Sequence, residues 1–530
     1  MFSKKSPFPR FFLFSTVFLV VLTRFVNLDW GYGFFFHPDE NNMASAISRL
    51  SFSDFNPHFF AYGQFPLYLV FFTQKALRQS GFNSAIYILR FYSALFSSLS
   101  VLIFYQISQI LFRQKKSAKI FTLLLIFSPG LIQLAHFGTT ESFLIFIFAV
   151  NLYLSFKLIK NPRPSSLIFL SALSSGLGLA SKIIALIFTA PIYLAIFFRF
   201  FLSREYKKFF IYSFLFSAFS FFFFLLFSPY NLISFSDFLS TMRHETSVAI
   251  GTTPIFYTRQ FISTPAYLFQ FQKIFPYTSG LPVFVLSFIG LFLLLRCIKN
   301  FSSKNYPLLI LVIPSLVYFL YTGRLYTKWT RFASPLFYLF PLLASYVLGK
   351  ISHSKFFYPL LLTCLVPGLL FLSIYFRPDV RLTASSWIDQ NIPPHRHILS
   401  EAGNILNLPL ATKNPYQVEN FDFFTLDSQP RAVDDLVHQL YQSEYILIPS
   451  RRIFKNQTGN DFPISQRYYE ALFSGNLGFT LIKQFSLSNS LILDSESAEE
   501  TWSVFDNPVI RIYKKTTPLD PSDYQQILSL

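Results

Sequence analysis

About eleven stretches between residues 10 and 376 stay apolar for about 20 residues, the length a helix needs to cross a bilayer. They lie near 10–29, 84–112, 118–136, 141–158, 165–181, 183–201, 208–229, 277–297, 305–322, 331–349 and 356–376. Such stretches leave few folds open. In hydrocarbon every backbone N–H and C=O must bond inside the protein, which selects spanning helices or a closed barrel. Runs this long select helices. Composition agrees: 13% of residues are charged, where a soluble domain carries roughly 25%. The expected fold class is a polytopic all-α membrane domain of about 11 spans over residues 1–376.

The net charge of +18 raises the question of nucleic acid. The basic residues answer it, because they sit in short clusters between the apolar runs. With Lys4, Lys5 and Arg10 in the cytoplasm, alternating crossings put five further clusters on the same side. These are Arg113/Lys115/Lys116/Lys119, Lys157/Lys160/Arg163, Arg204/Lys207/Lys208, Arg296/Lys299/Lys304 and Lys350/Lys355. This is the positive-inside pattern, so membrane lipids are the expected partner and nucleic acid is not. The first apolar run resembles a signal peptide but lacks a small-residue cleavage site, so it is expected to stay as a span. The expected localisation is an integral, multi-pass plasma membrane protein. Cys297 and Cys364 lie in or at the end of apolar runs and imply no disulfide framework.

The same parity sends the unusual chemistry to the outer face. The first outer loop, 30–83, carries Phe36-His37-Pro38-Asp39-Glu40, two adjacent carboxylates beside a membrane-length run. Such a pair near a bilayer is costly unless paired, hydrated or used. Asp39 and Glu40 are the candidate catalytic residues, a general base and its neighbour. Acidic residues also complement a helix's first turn, and a short helix is expected over Asn41–Leu50. Gln64–Gln79 is apolar but short, and reads as an interfacial helix. Glu141 opens the fourth span after His136-Phe137-Gly138-Thr139-Thr140 and faces the same side. Lys182, Arg243 and Arg331 break the positive-inside bias and suit a phosphate. His37, His244 and Glu245 complete the candidate substrate-binding set. No pair among these has zinc spacing, so no metal ligand is assigned and no cofactor is required, although a hard divalent cation remains an option. No nucleotide-binding glycine loop is present, which disfavours a soluble nucleotide sugar.

After Phe376 polar residues become common and no run is long enough to cross a bilayer. Helical periodicity appears at Leu382–Gln390, Ala432–Gln442 and Ile464–Phe473. Strand patterns appear at His397–Ser400, Tyr445–Pro449, Phe479–Phe485 and Val509–Tyr513. Residues 377–530 are expected to form a small soluble extracytoplasmic α/β domain.

An acidic pair in a long first outer loop, many spans and a soluble tail together resemble the GT-C glycosyltransferases. The nearer likeness is to the protein O-mannosyltransferase-like group (glycosyltransferase family 39), including the aminoarabinose transferases. It rests on Phe36–Glu40, Asn56–Gly63, His136–Glu141, the stretch Gly176-Leu177-Gly178-Leu179-Ala180-Ser181-Lys182 and Arg331–Pro335. In the tail it rests on Trp387–Pro394 and Val504–Val509. The resemblance implies an inverting transfer from a polyprenyl-phosphate-linked sugar donor to a hydroxyl acceptor on protein, lipid or glycan. It would make Asp39 the base, Glu40 a donor or acceptor contact and Glu141 a second-loop acidic partner. It would place Lys182 and Arg331 near the lipid phosphate. The tail has no Trp-Trp-Asp, which sets it apart from oligosaccharyltransferases of this fold class. The alternative reading is a membrane transporter or lipid flippase, which would carry ionisable groups near mid-span on a pathway.

Overall fold

The computed structural model describes residues 10–112, 114–297, 305–401, 408–410, 414–487 and 493–529. Of the basic clusters named above, Lys4, Lys5, Arg113, Lys299 and Lys304 lie outside the described residues. By internal packing the chain divides into two compact units. The first holds the described residues up to Leu28, Asp39–Ala249 and Ala266–Leu372. The second holds Asp29–Pro38, Ile250–Pro265 and the chain from Ser373 onward.

The first unit is helical. Helix α1 (Arg10–Phe25) is followed by α2 (Pro38–Arg49), α3 (Phe65–Ala76) and the 30-residue α4 (Phe82–Leu111). Then come α5 (Lys115–Ile126), α6 (Pro129–His136), α7 (Glu141–Lys160) and α8 (Pro164–Leu179). Among the described residues, six helices are long and apolar enough to cross a membrane: α4, α7, Ile183–Phe201, Tyr206–Phe227, Tyr306–Arg324 and Phe357–Phe376. Two bent pairs, α5 with α6 and Thr330–Leu336 with Leu339–Lys350, raise the count to 8 if each is one span. This falls short of the eleven expected. The other three expected positions hold shorter apolar helices, Phe12–Phe25, Pro164–Leu179 and Leu281–Arg296. Each of these three is apolar but shorter than 18 residues. The chain is a multi-pass membrane protein by these helices. Helix α3, at 12 residues, is too short to span.

The 50° bend between α5 and α6 has a clear origin. Pro129 opens α6, and Ser128 before it takes an extended conformation, φ −73° and ψ 117°. A residue preceding proline is pushed out of the helical region in this way. The break frees carbonyls at the end of α5. Arg24, fully buried at the end of α1, takes them up: Nη1 donates to the Ile126 oxygen at 2.9 Å and Nη2 to the Leu125 oxygen at 3.0 Å. Its Nε donates to Ser97 Oγ on α4 at 3.0 Å. One planar fork thus ties three helices.

The second unit contains a five-stranded sheet, ordered β2-β1-β3-β5-β4. Its strands are β1 (His397–Glu401), β2 (Gln417–Phe421), β3 (Tyr445–Ile448), β4 (Phe479–Phe485) and β5 (Ile510–Lys515). Strand β1 pairs parallel with β2 and β3, while β5 runs antiparallel to β3 and β4. Both faces are covered, as parallel pairing requires. Leu399, Ile446 and Ile448 pack with Leu436, Leu440 and Leu472. The alternate residues Ile398, Tyr445 and Leu447 pack with Val380, Ala384 and Ile388. This period-2 division puts one helical layer on each side. Strand β2 has no strand pattern in the sequence: Gln-Val-Glu-Asn-Phe is an edge strand with little burial, so no alternation marks it. Arg381 joins segment 29–38 to the tail. Its guanidinium pairs with Asp379 at 2.9 Å, donates to the Phe505 oxygen at 2.6 Å, and lies 3.9 Å from the Phe36 ring centre.

Arg24→Met is expected to destabilise the membrane unit by about 3 kcal/mol, the scale of a lost charge-assisted buried hydrogen-bond set. Arg24→Lys is expected to recover only part of it, since an ammonium cannot fork to two carbonyls and a hydroxyl. Thermal unfolding of the detergent-solubilised protein measures both.

Candidate active site

Pro38 opens α2, a favoured place for proline because the missing N–H would have no helical partner. Asp39 and Glu40 follow in the first turn. Successive helical residues differ in direction by about 100°. That rotation separates the two carboxylates. Glu40 joins the buried face with Met43, Ala44 and Ile47, whereas the Asp39 side chain keeps 18% of its surface exposed.

Glu40 is held from three directions. Arg90 of α4 donates through Nη2 at 2.8 Å and through Nε at 3.1 Å, and the backbone N–H of Gly138 donates to Oε1 at 2.6 Å. Arg90 Nη1 also donates to the Leu28 oxygen at 2.9 Å. Both side chains of this ion pair are 0% exposed. Gly138 is required there: a Cβ would stand 2.8 Å from Leu89 Cβ, and the approach of its N–H to the carboxylate would be lost. His136, just before it, sets its ring nitrogens 2.8 and 2.9 Å from the Ile132 and Val26 oxygens, and so serves the chain's path.

Asp39 pairs instead with Arg331, on the short helix Thr330–Ala333. The Arg331 guanidinium lies over Trp329, 4.8 Å from its ring centre, and its Nη1 is 3.5 Å from Tyr62 Oη. A third pair stands close by. Lys182 Nζ is 3.1 Å from Glu141 Oε1 at the start of α7. The same ammonium lies 5.0 Å from the Tyr62 ring centre and 5.7 Å from that of Phe332, and Arg331 lies 5.8 Å from Phe332. Two aromatic rings therefore sit between the two cations and gather both ion pairs into one place. Close backbone approach brings Tyr62 there. The Gly63 N–H donates to the Ser181 oxygen at 2.9 Å, and a Cβ on Gly63 would meet the Ala180 oxygen at 2.0 Å. Burial raises the Tyr62 hydroxyl well above its ordinary value, and Glu141 and Glu245 add to the shift. It stays a neutral phenol.

Of the residues singled out from sequence, Asp39, Arg331, Glu141 and Lys182 come together, and Glu40 sits behind Asp39 in its own pair. Arg243, His244 and Glu245 are exposed residues of the helix Phe235–Ile250. Partial desolvation raises the Glu245 carboxyl above the usual carboxylate range, opposed by His244 and Lys182. His37 belongs to the second unit, where its ring packs 4.5 Å from that of Phe505. Among the described residues no group of three His, Cys, Asp or Glu side chains is placed to hold a metal ion. Arg90 and Tyr62 are among the residues of this cluster given no role from sequence. Arg90 carries a legible signal, a charged residue inside an apolar helix. Tyr62 lies in the motif Asn56–Gly63 that carries the resemblance, but nothing in that motif shows which side chains it meets.

The arrangement resembles known proteins in two ways. Residues 70–232 match the family model described as dolichyl-phosphate-mannose-protein mannosyltransferase. In structure the chain is similar to the archaeal oligosaccharyltransferase AglB from Archaeoglobus fulgidus, solved with an inhibitory peptide and a dolichol-phosphate. The two are 13% identical, with a TM-score of 0.54 over 87% of this chain and 72% of that one. The A. fulgidus enzyme tethered to an acceptor peptide with an NVT sequon gives 0.54 and 13% over 96% and 88%. The chain shares the fold of this archaeal enzyme. At this identity the structural likeness is one of fold alone. ArnT from Cupriavidus metallidurans bound to undecaprenyl phosphate is also similar, at 12% identity and a TM-score of 0.49 over 95% and 97%. No curated protein sequence matches the chain. The family match covers Arg90, Glu141 and Lys182, and Asp39 and Arg331 lie outside it.

Glu40→Gln is expected to cost about 3–5 kcal/mol of stability, because it leaves the Arg90 guanidinium buried and uncompensated. The double variant Glu40→Gln/Arg90→Gln is expected to recover part of that loss. Unfolding temperatures of the two variants beside the native protein give the comparison.

Proposed function

We propose that the protein is an inverting glycosyltransferase that moves a sugar from a polyprenyl-phosphate donor to a hydroxyl acceptor at the outer membrane face. The observation that carries the reading is the gathering of Asp39, Arg331, Glu141 and Lys182 around Tyr62 and Phe332. One accessible carboxylate beside two cations is what this transfer needs. Asp39 accepts the proton of the acceptor hydroxyl. The oxygen attacks the anomeric carbon on the side away from the phosphate. The bond from that carbon to the phosphate oxygen breaks, and its electron pair leaves with the phosphate. Inversion follows from this in-line course. Negative charge grows on the leaving phosphate, and Arg331 and Lys182 are placed to offset it. Glu141 orients Lys182. Glu40 does not touch the reacting atoms in this scheme; with Arg90 and Gly138 it holds α2 so that Asp39 points correctly.

The lipid-linked donor is supported by the family match to a dolichyl-phosphate-mannose-protein mannosyltransferase and by a fold shared with a protein solved with dolichol-phosphate. The acceptor is a hydroxyl on protein, lipid or glycan. No nucleotide enters this scheme and no cofactor is required. A divalent cation, if it contributes, would act on the phosphate charge. The basic clusters support an orientation with the candidate site, Arg243–Glu245 and the sheet domain outside the cytoplasm. The transporter reading looks for ionisable groups within spans; Arg90 is such a group, and it is sealed against Glu40.

Asp39→Asn is expected to lower sugar transfer by about 10²–10⁴-fold, the usual range for loss of a general base. Transfer to a hydroxyl acceptor, with the product anomer read by NMR, measures this with and without EDTA. Transfer that continues at the full rate removes Asp39 as the base. A cysteine placed at Lys483, an exposed position on β4, is expected to react with an impermeant maleimide from outside intact cells only. Labelling from the cytoplasmic side would overturn the orientation.

A further inference from the structure

Three carboxylates at the site, Asp39, Glu40 and Glu141, are each held by a cation, and the three pairs differ in access. Glu40 and Arg90 are sealed, with 0% of either side chain exposed. Lys182 keeps 19% exposed, but its partner Glu141 only 2%. Arg331 and Asp39 are open on both sides, at 24% and 18%. A guanidinium beside a carboxylate stabilises the ionised form and so makes it a poorer proton acceptor. The proposed base is thus engaged by the cation best placed to meet the donor.

We infer that Arg331 is an exchangeable clamp: it silences Asp39 in the resting protein and is drawn off by the phosphate of the incoming donor, so that the base is released only when donor is bound. The inference rests on the donor reading above. Several features permit the exchange. A phosphate offers several charged or strongly accepting oxygens to a guanidinium that now serves one carboxylate, and bidentate pairing of arginine with phosphate is among the stronger charge-assisted contacts. Arg331 also has support that does not depend on Asp39. Its guanidinium lies over Trp329 at 4.8 Å and near Phe332 at 5.8 Å, so it can turn without leaving its aromatic bed. Tyr62 Oη, 3.5 Å from Nη1, lies at the edge of hydrogen-bond reach and can follow it. Glu40 cannot make the same exchange, because both members of its pair are buried and three N–H groups converge on the carboxylate. The two adjacent acids therefore divide the work: one pair is permanent and the other is made to open. Acceptor activation would then require prior donor binding, and an acceptor hydroxyl arriving first would meet a masked base.

Linkage gives the test. If Asp39 and the phosphate compete for Arg331, removing the Asp39 charge must tighten phosphate binding. Undecaprenyl phosphate is titrated onto the full-length solubilised protein and onto Asp39→Asn. Asp39→Ser is the second variant, since serine also suits a first helical turn. The expected result is that one or both bind at least about tenfold more tightly than the native protein, a difference of about 1.4 kcal/mol. A cryo-EM map of the native protein with the lipid is expected to show the Arg331 guanidinium on phosphate oxygens and off Asp39. Folded variants that bind no more tightly would overturn the exchange, as would a map in which Arg331 keeps Asp39 beside a bound phosphate. In both cases the donor reading stands. A native protein that does not bind undecaprenyl phosphate at all would instead remove the donor reading, and this inference with it.

Discussion

An ionised carboxylate with no exposed surface survives only where donors surround it, and Glu40 is the point on which the site's geometry turns. Two nitrogens of Arg90 and the Gly138 N–H converge on it. They come from α4 and from the turn before α7. The clamp therefore joins the first loop to two membrane helices. It sets the rotation of α2, and with it the direction in which Asp39, one residue earlier, must point. Arg90 extends the tie to the Leu28 carbonyl. Such a pair contributes less to net stability than to fixing one arrangement, since desolvating two charges costs much of what their attraction returns.

The same device recurs where the chain must bend. Arg24 meets the carbonyls that Pro129 frees, and Arg381 meets the Val504 and Phe505 carbonyls inside the sheet unit. Each is a fully buried guanidinium whose planar fork reaches carbonyl groups of a distant segment. In all three places an arginine does what a side chain with one donor could not. Burial makes the arrangement rigid, because releasing one partner strands a charge. The Arg331–Asp39 pair has the opposite character. It is partly open on both sides and rests on aromatic faces, so its charges are already partly hydrated and its release costs less.

Much of the fold was legible because it follows from local pattern. Apolar length marked the helices, and short strand-like runs bounded by turn residues marked β1, β3, β4 and β5. Strand β2 was hidden because an edge strand with a polar sequence earns its place by pairing with β1 and not by burial. Of the eleven expected spans, six to eight are helices long and apolar enough to cross a membrane among the described residues, and shorter apolar helices occupy the other three positions. Arg90 could have been found as a charge within an apolar helix. Tyr62 lies in a motif that carries the resemblance, but its contacts could not be read there, since its position follows from Gly63 lying against Ala180 and Ser181, residues far away in sequence.

Hydropathy, loop charge and periodicity belong to short stretches of chain. The sequence alone therefore determined a helical membrane protein with a small α/β tail and an acidic pair opening a helix in its first loop. It could not determine which cation meets which acid. Asp39 and Arg331 stand 292 residues apart, Glu40 and Arg90 stand 50 apart, and Glu141 and Lys182 stand 41 apart. Only helix packing settles those meetings, because the direction of a side chain depends on the rotation of its whole helix and on what that helix is packed against.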